Sequence, residues 1–402
     1  MIRLRCLRAH YSTNKIAGPS LISLSSSKSY KESLSANSTL AQLVEAYRSG
    51  NLRVAEDVQG NSAEINSNRS LPMTLFPKVQ VFSDVMSDPK VGDWRKPMTK
   101  WFRLGKTVLK MYLNGIRDTW NVHKESRETL DKFAKHQPLV TQLYRDLEFR
   151  EIESRIKSTG PVQLAITRKE FQEVHRRKEF WKLPSFFVLF ILFEEALPFI
   201  CYFIPSIVPW NCLTPGAFKK LSEVRISSQK FLPCKSSETP APDYVSPYAM
   251  PLTNVTELLR SFKLLPRWKS IIYNWFDNKV EPCESLAQFH QYLVLDDWFL
   301  LQSMLSKEKQ TTLTEKELIN AILERQLYEP GENLNSLARE EAGRKVLLWR
   351  LFIYWAFRFQ DTIVAGGSKT FSEVWGVNNV GILNFPGSQK LLNKTSLDNL
   401  EI

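Results

Sequence analysis

Two adjacent carboxylates, Glu194 and Glu195, interrupt the longest apolar run of this 402-residue sequence. The run, residues 183–209, reads LPSFFVLFILFEEALPFICYFIPSIVP and contains no basic side chain. Glu194 is followed by Pro198, Pro205 and Pro209, at i+4, i+11 and i+15. On a helix these four positions fall within about 60° of one another. One face then carries an acid and three sites where proline removes a backbone donor. An acid in apolar surroundings has a raised pKa, so Glu194 is a candidate proton or cation carrier, with Glu195 as a second. The same stripe serves equally as a packing groove between subunits, with Glu194 hydrogen-bonded across it.

A straight helix over residues 183–209 would reach about 40 Å, against a hydrocarbon core of about 30 Å. Trp181 and Trp210 flank it as interface anchors. Its Leu, Ile, Phe and Val residues gain about 5–10 kcal/mol on insertion, and the two acids cost about 5–7 kcal/mol. The near balance predicts a single transmembrane helix that wants a partner, either a second copy or another membrane protein. The competing reading is a buried helical hairpin broken at 194–198. No second span is expected, because residues 346–359 are too few and Arg350 and Arg358 interrupt them.

Other chemistry is sparse. Five Cys form no C-x-x-C pair and there are only five His, so no metal site is expected. No phosphate cradle, nucleophile elbow or catalytic triad spacing occurs, which predicts a protein that is not an enzyme and needs no cofactor. Asp296-Asp297 stands out inside YLVLDDWFLL. One of that pair is expected to be exposed and to meet a basic partner.

The elements that would position these residues are helical throughout. Residues 1–31 hold six Lys or Arg and no acid, the composition of a mitochondrial transit peptide. The net charge of +12 owes half its excess to them, so direct DNA binding is not implied. Residues 32–92 read as a loosely ordered spacer with a short helix at 40–47. Residues 93–182 form a basic helical region. Within it, 94–117 carries seven Lys or Arg and repeats Trp101, Leu104, Val108 and Met111 at helical spacing. Such a helix suits an anionic bilayer, RNA or an ordinary solvated face. Further helices are expected at 125–135, 140–157 and 166–182. A linker at 210–250 follows the span. A helical domain over 251–360 has helices at 254–263, 283–307, 314–327 and 334–359. Asn254 is expected to cap the first, and Thr314 with Glu317 to form a full capping box. Residues 361–402 form an irregular tail. The expected fold class is all-α.

Several of these stretches resemble the LETM-domain family of mitochondrial inner-membrane proteins. Lys100-Trp101-Phe102-Arg103-Leu104-Gly105 looks like its aromatic-x-x-Gly lead-in, and Leu164-Ala165-Ile166-Thr167-Arg168-Lys169-Glu170 like its L-T-R-R-E segment. Leu183-Pro184-Ser185-Phe186 resembles its L-V-P-F start, and the spacing of Glu194, Pro198, Pro205 and Pro209 its membrane signature. Tyr292-Leu293-x2-Asp296-Asp297 and the stretch from Leu313 to Arg325 resemble its C-terminal ribosome-binding-like domain. The resemblance implies a short, divergent fungal-type paralogue without an EF-hand.

It also implies a single-pass inner-membrane protein whose C-terminal domain lies in the matrix. The first role implied is potassium/proton exchange governing matrix volume, with Glu194 and Glu195 titrating. The second is a membrane scaffold that docks mitochondrial ribosomes for protein insertion, with Asp296, Asp297 and Arg325 as contacts.

Overall fold

The computed structural model describes residues 38–56, 63–133, 138–157, 162–193, 201, 204–227, 246–305, 310–359, 362, 364 and 367–375. These are mostly helical, in line with the all-α expectation. The helices are α1 (Ser38–Arg48), α2 (Lys78–Ser87), α3 (Lys96–Phe133), α4 (Leu139–Lys157), α5 (Arg168–Arg176) and α6 (Leu183–Leu192). They continue with α7 (Pro215–Ser227), α8 (Leu252–Ser261), α9 (Arg267–Trp275) and α10 (Val280–Leu305). The last three are α11 (Glu315–Arg325), α12 (Leu334–Arg339) and α13 (Glu341–Phe359).

The core is built around α10. Its 26 residues bury side chains on every face, from Cys283 to Met304, as a helix enclosed by others must. Pro282 lies in its first turn, where no intrahelical donor is lost. Helices α1, α4, α5 and α8 pack around it, and α13 packs on α1, α11 and α12. The arginines at 350 and 358 do not prevent α13 from being buried.

One small sheet joins distant parts of the chain. Strand β1 (Leu52–Ala55) pairs in parallel with β2 (Thr311–Thr314), in the register Leu52 to Thr311. Leu40, Leu43, Val44 and Leu52 belong to the same hydrophobic core as α10 and α13. The stretch expected to be a spacer is therefore structured over much of its length. Its apolar residues sit at i, i+3 and i+4 in α1, and they are consumed by the core.

The linker expected at 210–250 also contains an element. Helix α7 buries Ala217, Phe218, Ser222 and Ile226. Pro215 opens it, where proline is tolerated. Helix α8 begins at Leu252 after Pro251, so Asn254 lies inside it and caps nothing. The helix expected at 94–117 runs on to Phe133, which absorbs the separate helix expected from 125. The helix expected over 334–359 is two, because Glu340 is extended (φ −80°, ψ 135°) between them, and Gly343 then sits hard against Leu337.

The single transmembrane helix is not what the described residues form. Among them, no helix is long and apolar enough to cross a membrane. Helix α6 covers ten residues, about 15 Å, half of a bilayer core. Phe186 and Cys201 both join Met111 and Tyr112 of α3 in one apolar cluster. Burial, and next the neighbouring Cys201, push the Tyr112 phenol above its ordinary pKa. On a straight helix Phe186 and Cys201 would stand about 22 Å apart. Both are nevertheless placed against Tyr112 of α3. Val208, Cys212 and Leu213 belong to the same cluster.

Candidate functional site

Six ionised side chains meet at the centre of the fold, and sequence spacing brings none of the long-range pairs together. Helix α5 starts with a complete capping box between Thr167 and Glu170, which fixes the first turn and points Arg168 inward. Arg168 Nε donates to Asp296 Oδ1 at 2.7 Å, and its Nη1 donates to Glu317 Oε2 at 3.0 Å and to the Ile65 carbonyl at 2.6 Å. Arg325 Nη2 donates to Asp296 Oδ2 at 2.6 Å, and its Nε to Asp297 Oδ1 at 2.7 Å. Arg358 Nε lies 2.9 Å from Asp297 Oδ2. Three arginines thus face three carboxylates, and all six side chains are essentially sealed from solvent.

Neutral donors complete the lattice. Gln172 Nε2 donates to Asp296 Oδ1 at 2.6 Å. Trp355 Nε1 and the Tyr354 hydroxyl donate to Asp297 at 2.7 and 3.1 Å. The Ser67 amide donates to Glu317 Oε1 at 2.6 Å. Burial alone would raise the Asp296 pKa, but Arg168 and Arg325 hold it well below the ordinary carboxylate range. His290, beside Arg358, is held well below the usual histidine value, first by burial and then by that cation. The lattice clamps α5, α10, α11 and α13 to residues 65–67. Its carboxylates are saturated by internal partners and closed to substrate, so its chemistry is structural.

Asp296, Asp297 and Arg325, the three proposed partner contacts, are therefore brought together, but with one another. The exposure expected of one aspartate is not found, since both are fully buried. Arg168, Glu317, Arg358, Tyr354 and Trp355 were missed as their partners. A signal was present: an arginine inside an apolar helix and two acids inside another are each too costly alone, and Arg358 does meet Asp297, whereas Arg350 pairs with Glu332. Thr314 caps α11 by accepting from the Glu317 amide, but the box is half formed. The Thr314 amide donates to Asn66 Oδ1 instead, which leaves the Glu317 carboxylate free to join the lattice.

Of the expected membrane signature, Glu194, Glu195 and Pro198 lie outside the described residues. Pro184 sits in the first turn of α6. Pro205 lies in a turn, and Pro209 leads into the short 3-10 turn Trp210–Cys212. Pro205 and Pro209 therefore do not stand together on the one helix face that their spacing predicts. That 3-10 turn approaches α3 closely enough to need a glycine. A Cβ at Gly115 would stand 2.5 Å from Cys212 Sγ. Asn211 bridges the contact, accepting from Thr119 Oγ1 at 2.8 Å and donating to the Gly115 carbonyl at 2.9 Å.

Trp181 and Trp210 do not form a pair of like anchors. Trp181 is 75 % exposed, whereas Trp210 packs edge-on to Phe218 at 5.9 Å and is partly buried. Helix α6 itself is two-faced in burial though apolar all round. Leu183 and Phe186 pack inward, with Phe186 5.7 Å from the Tyr112 ring. Phe187, Val188, Ile191, Leu192 and Phe193 stand 45–67 % exposed on the other side. The first turns of α3 also expose Met98, Trp101 and Phe102 among lysines and arginines. Helix α9 exposes Trp268, Ile271 and Trp275, with Arg267 and Lys269 flanking the first. Among the described residues, no group of three or more His, Cys, Asp or Glu has the geometry of a metal site.

Comparison with known proteins replaces the LETM resemblance. No solved structure matches the chain. The mitochondrial pentamidine resistance factor of Saccharomyces cerevisiae is 39 % identical over 373 residues, covering 84 % of this chain and 88 % of that protein. That protein's mitochondrial setting accords with the basic, acid-free composition of residues 1–31. The pentamidine resistance factor domain matches residues 65–305, which include Arg168, Asp296 and Asp297. Three of the stretches that resembled the LETM family, 164–170, 292–297 and 313–325, hold Arg168, Asp296, Asp297, Glu317 and Arg325 of the buried ion lattice. The chain belongs to the pentamidine resistance factor family.

Proposed function

We propose that this protein is a non-enzymatic helical scaffold held on the mitochondrial inner membrane, and that it contributes to pentamidine resistance as its relative's name describes. One observation carries the reading: the open apolar face of α6, built from Phe187, Val188, Ile191, Leu192 and Phe193 beside Trp181. A contiguous apolar surface of this kind marks a docking site for membrane or protein. Each such side chain gains about 1.5–3 kcal/mol when removed from water. The cation-flanked aromatic turns of α3 and α9 have the composition of interfacial helices.

Potassium/proton exchange and ribosome docking rest on the LETM resemblance, which the pentamidine resistance factor match replaces. The scaffold reading stands on the exposed face alone. It is tested by complementing cells that lack the protein and scoring growth across a pentamidine series. Wild type raises the tolerated concentration, and Phe187→Asp/Ile191→Asp does not. Equal protection by the two would overturn the reading.

A further inference from the structure

A cavity of about 630 Å³ opens between α5, the 3-10 turn leading to Lys182, residues 204–210, α7 and the turn joining α8 to α9. That volume lies in the range of ordinary ligand pockets, about 300–1,000 Å³. Its charge is one-sided. Arg176, Lys178, Lys182, Lys220, Arg225 and Lys263 line it, against two carboxylates, Glu179 and Glu324. Both carboxylates are engaged. Glu179 pairs with Lys182 at 2.8 Å and accepts from the Trp210 amide at 3.0 Å. Glu324 accepts from the Tyr292 hydroxyl at 2.9 Å and lies 3.8 Å from Arg176 Nη2. Arg176 is 6 % exposed, and its Nη2 makes no hydrogen bond, so a buried donor in the cavity wall is left for an anion. Burial, and then the surrounding arginines, lower the Lys263 pKa, as expected where like charges crowd.

The other wall is apolar. Ile204, Val208, Leu221, Val224 and Phe262 face the same space. Ile204 and Val224 are about half exposed at its rim, and Lys182 immediately precedes the open face of α6. A cationic floor with an apolar wall, opening beside an apolar surface, fits a phosphate that carries a hydrocarbon chain better than a free ion.

We propose that this cavity binds the phosphate headgroup of an anionic phospholipid, with Arg176, Lys178 and Lys263 on the phosphate and the Ile204–Val208 wall on the first part of an acyl chain. The site goes beyond the membrane-held reading, because a soluble short-chain lipid can test it without any membrane.

The test is titration calorimetry of the purified full chain with dihexanoyl phosphatidic acid below its micelle concentration. Inorganic phosphate and dihexanoyl phosphatidylcholine are the comparison ligands. The expected order is phosphatidic acid tighter than either by about tenfold or more. Lys178→Gln/Lys263→Gln, at the exposed mouth, should weaken phosphatidic acid binding by about tenfold. Lys106→Gln/Lys110→Gln, which removes the same charge from exposed positions of α3, should leave it within about twofold. Inorganic phosphate binding as tightly as the lipid overturns the proposal, and so does phosphatidylcholine binding as tightly. Equal losses in the two double variants would reduce the effect to net charge and also overturn it.

Discussion

The guanidinium of Arg168 and the carboxylate of Asp296 meet at 2.7 Å, across 128 residues of chain and out of reach of solvent. The pair is the first link of a lattice whose three cations and three anions balance. Buried pairs of this kind add little over an apolar core of the same shape, but breaking one strands a charge.

Replacing Arg325 by Met removes the cation shared by Asp296 and Asp297. Such a loss costs about 3–5 kcal/mol. Denaturant unfolding should show that loss at pH 7 with the slope unchanged. A loss below about 1 kcal/mol would mean the carboxylates find other partners.

Asp296-Asp297 was conspicuous because two acids in an apolar run need a reason, and Arg325 lay in a recognisable stretch. Their partnership was not legible, because pairs 28, 128 and 149 residues apart leave no period in the sequence. Helix positions followed from apolar spacing and held to within a few residues in α4, α8, α10 and α11. Helix α9 was missed because its apolar residues face outward, so no core stripe marks it. Hydropathy also cannot report the path of a chain. Residues 183–209 are apolar enough to cross a bilayer, but Phe186 and Cys201 both pack with Tyr112 of α3 in one cluster.

Stability should depend on pH in two windows. His290 and His175 are both held well below the ordinary histidine value, first by burial. Above about pH 6.5 neither state takes up a proton at them, so they leave stability flat. Below it the unfolded chain binds protons that the folded chain refuses, and stability falls by about 1.4 kcal/mol per pH unit for each. His290→Asn should remove about half of that slope. Asp296 acts in a lower window. Its contribution is complete above about pH 3.9 and is lost as pH falls through its depressed folded value. A His290→Asn chain with the full wild-type slope between pH 6.5 and 5 would contradict the first window.

Gly115→Ala should destabilise by about 1–3 kcal/mol, because the new methyl meets Cys212 Sγ at 2.5 Å. Shortening the partner should relieve it. Cys212→Ala in the same chain is expected to recover part of the loss, giving a favourable coupling of about 1 kcal/mol in a double-mutant cycle. Additive losses would place the cost elsewhere in α3.

Gly343→Ala has no such rescue. Its Cβ would stand 2.1 Å from the Leu337 carbonyl oxygen, a backbone atom of α12. The two helices must separate, and α13 carries Tyr354, Trp355 and Arg358 of the lattice. A melting temperature lower than that of Gly115→Ala is expected, and the reverse order would contradict the α12–α13 packing described above.

If the open face of α6 holds this protein on a membrane, as proposed, alkaline carbonate extraction of mitochondria separates wild type from Phe187→Asp/Ile191→Asp. Wild type is expected in the membrane pellet and the double variant in the supernatant, with equal melting temperatures for the two purified proteins. Wild type released by carbonate, or the variant retained as fully as wild type, would contradict it.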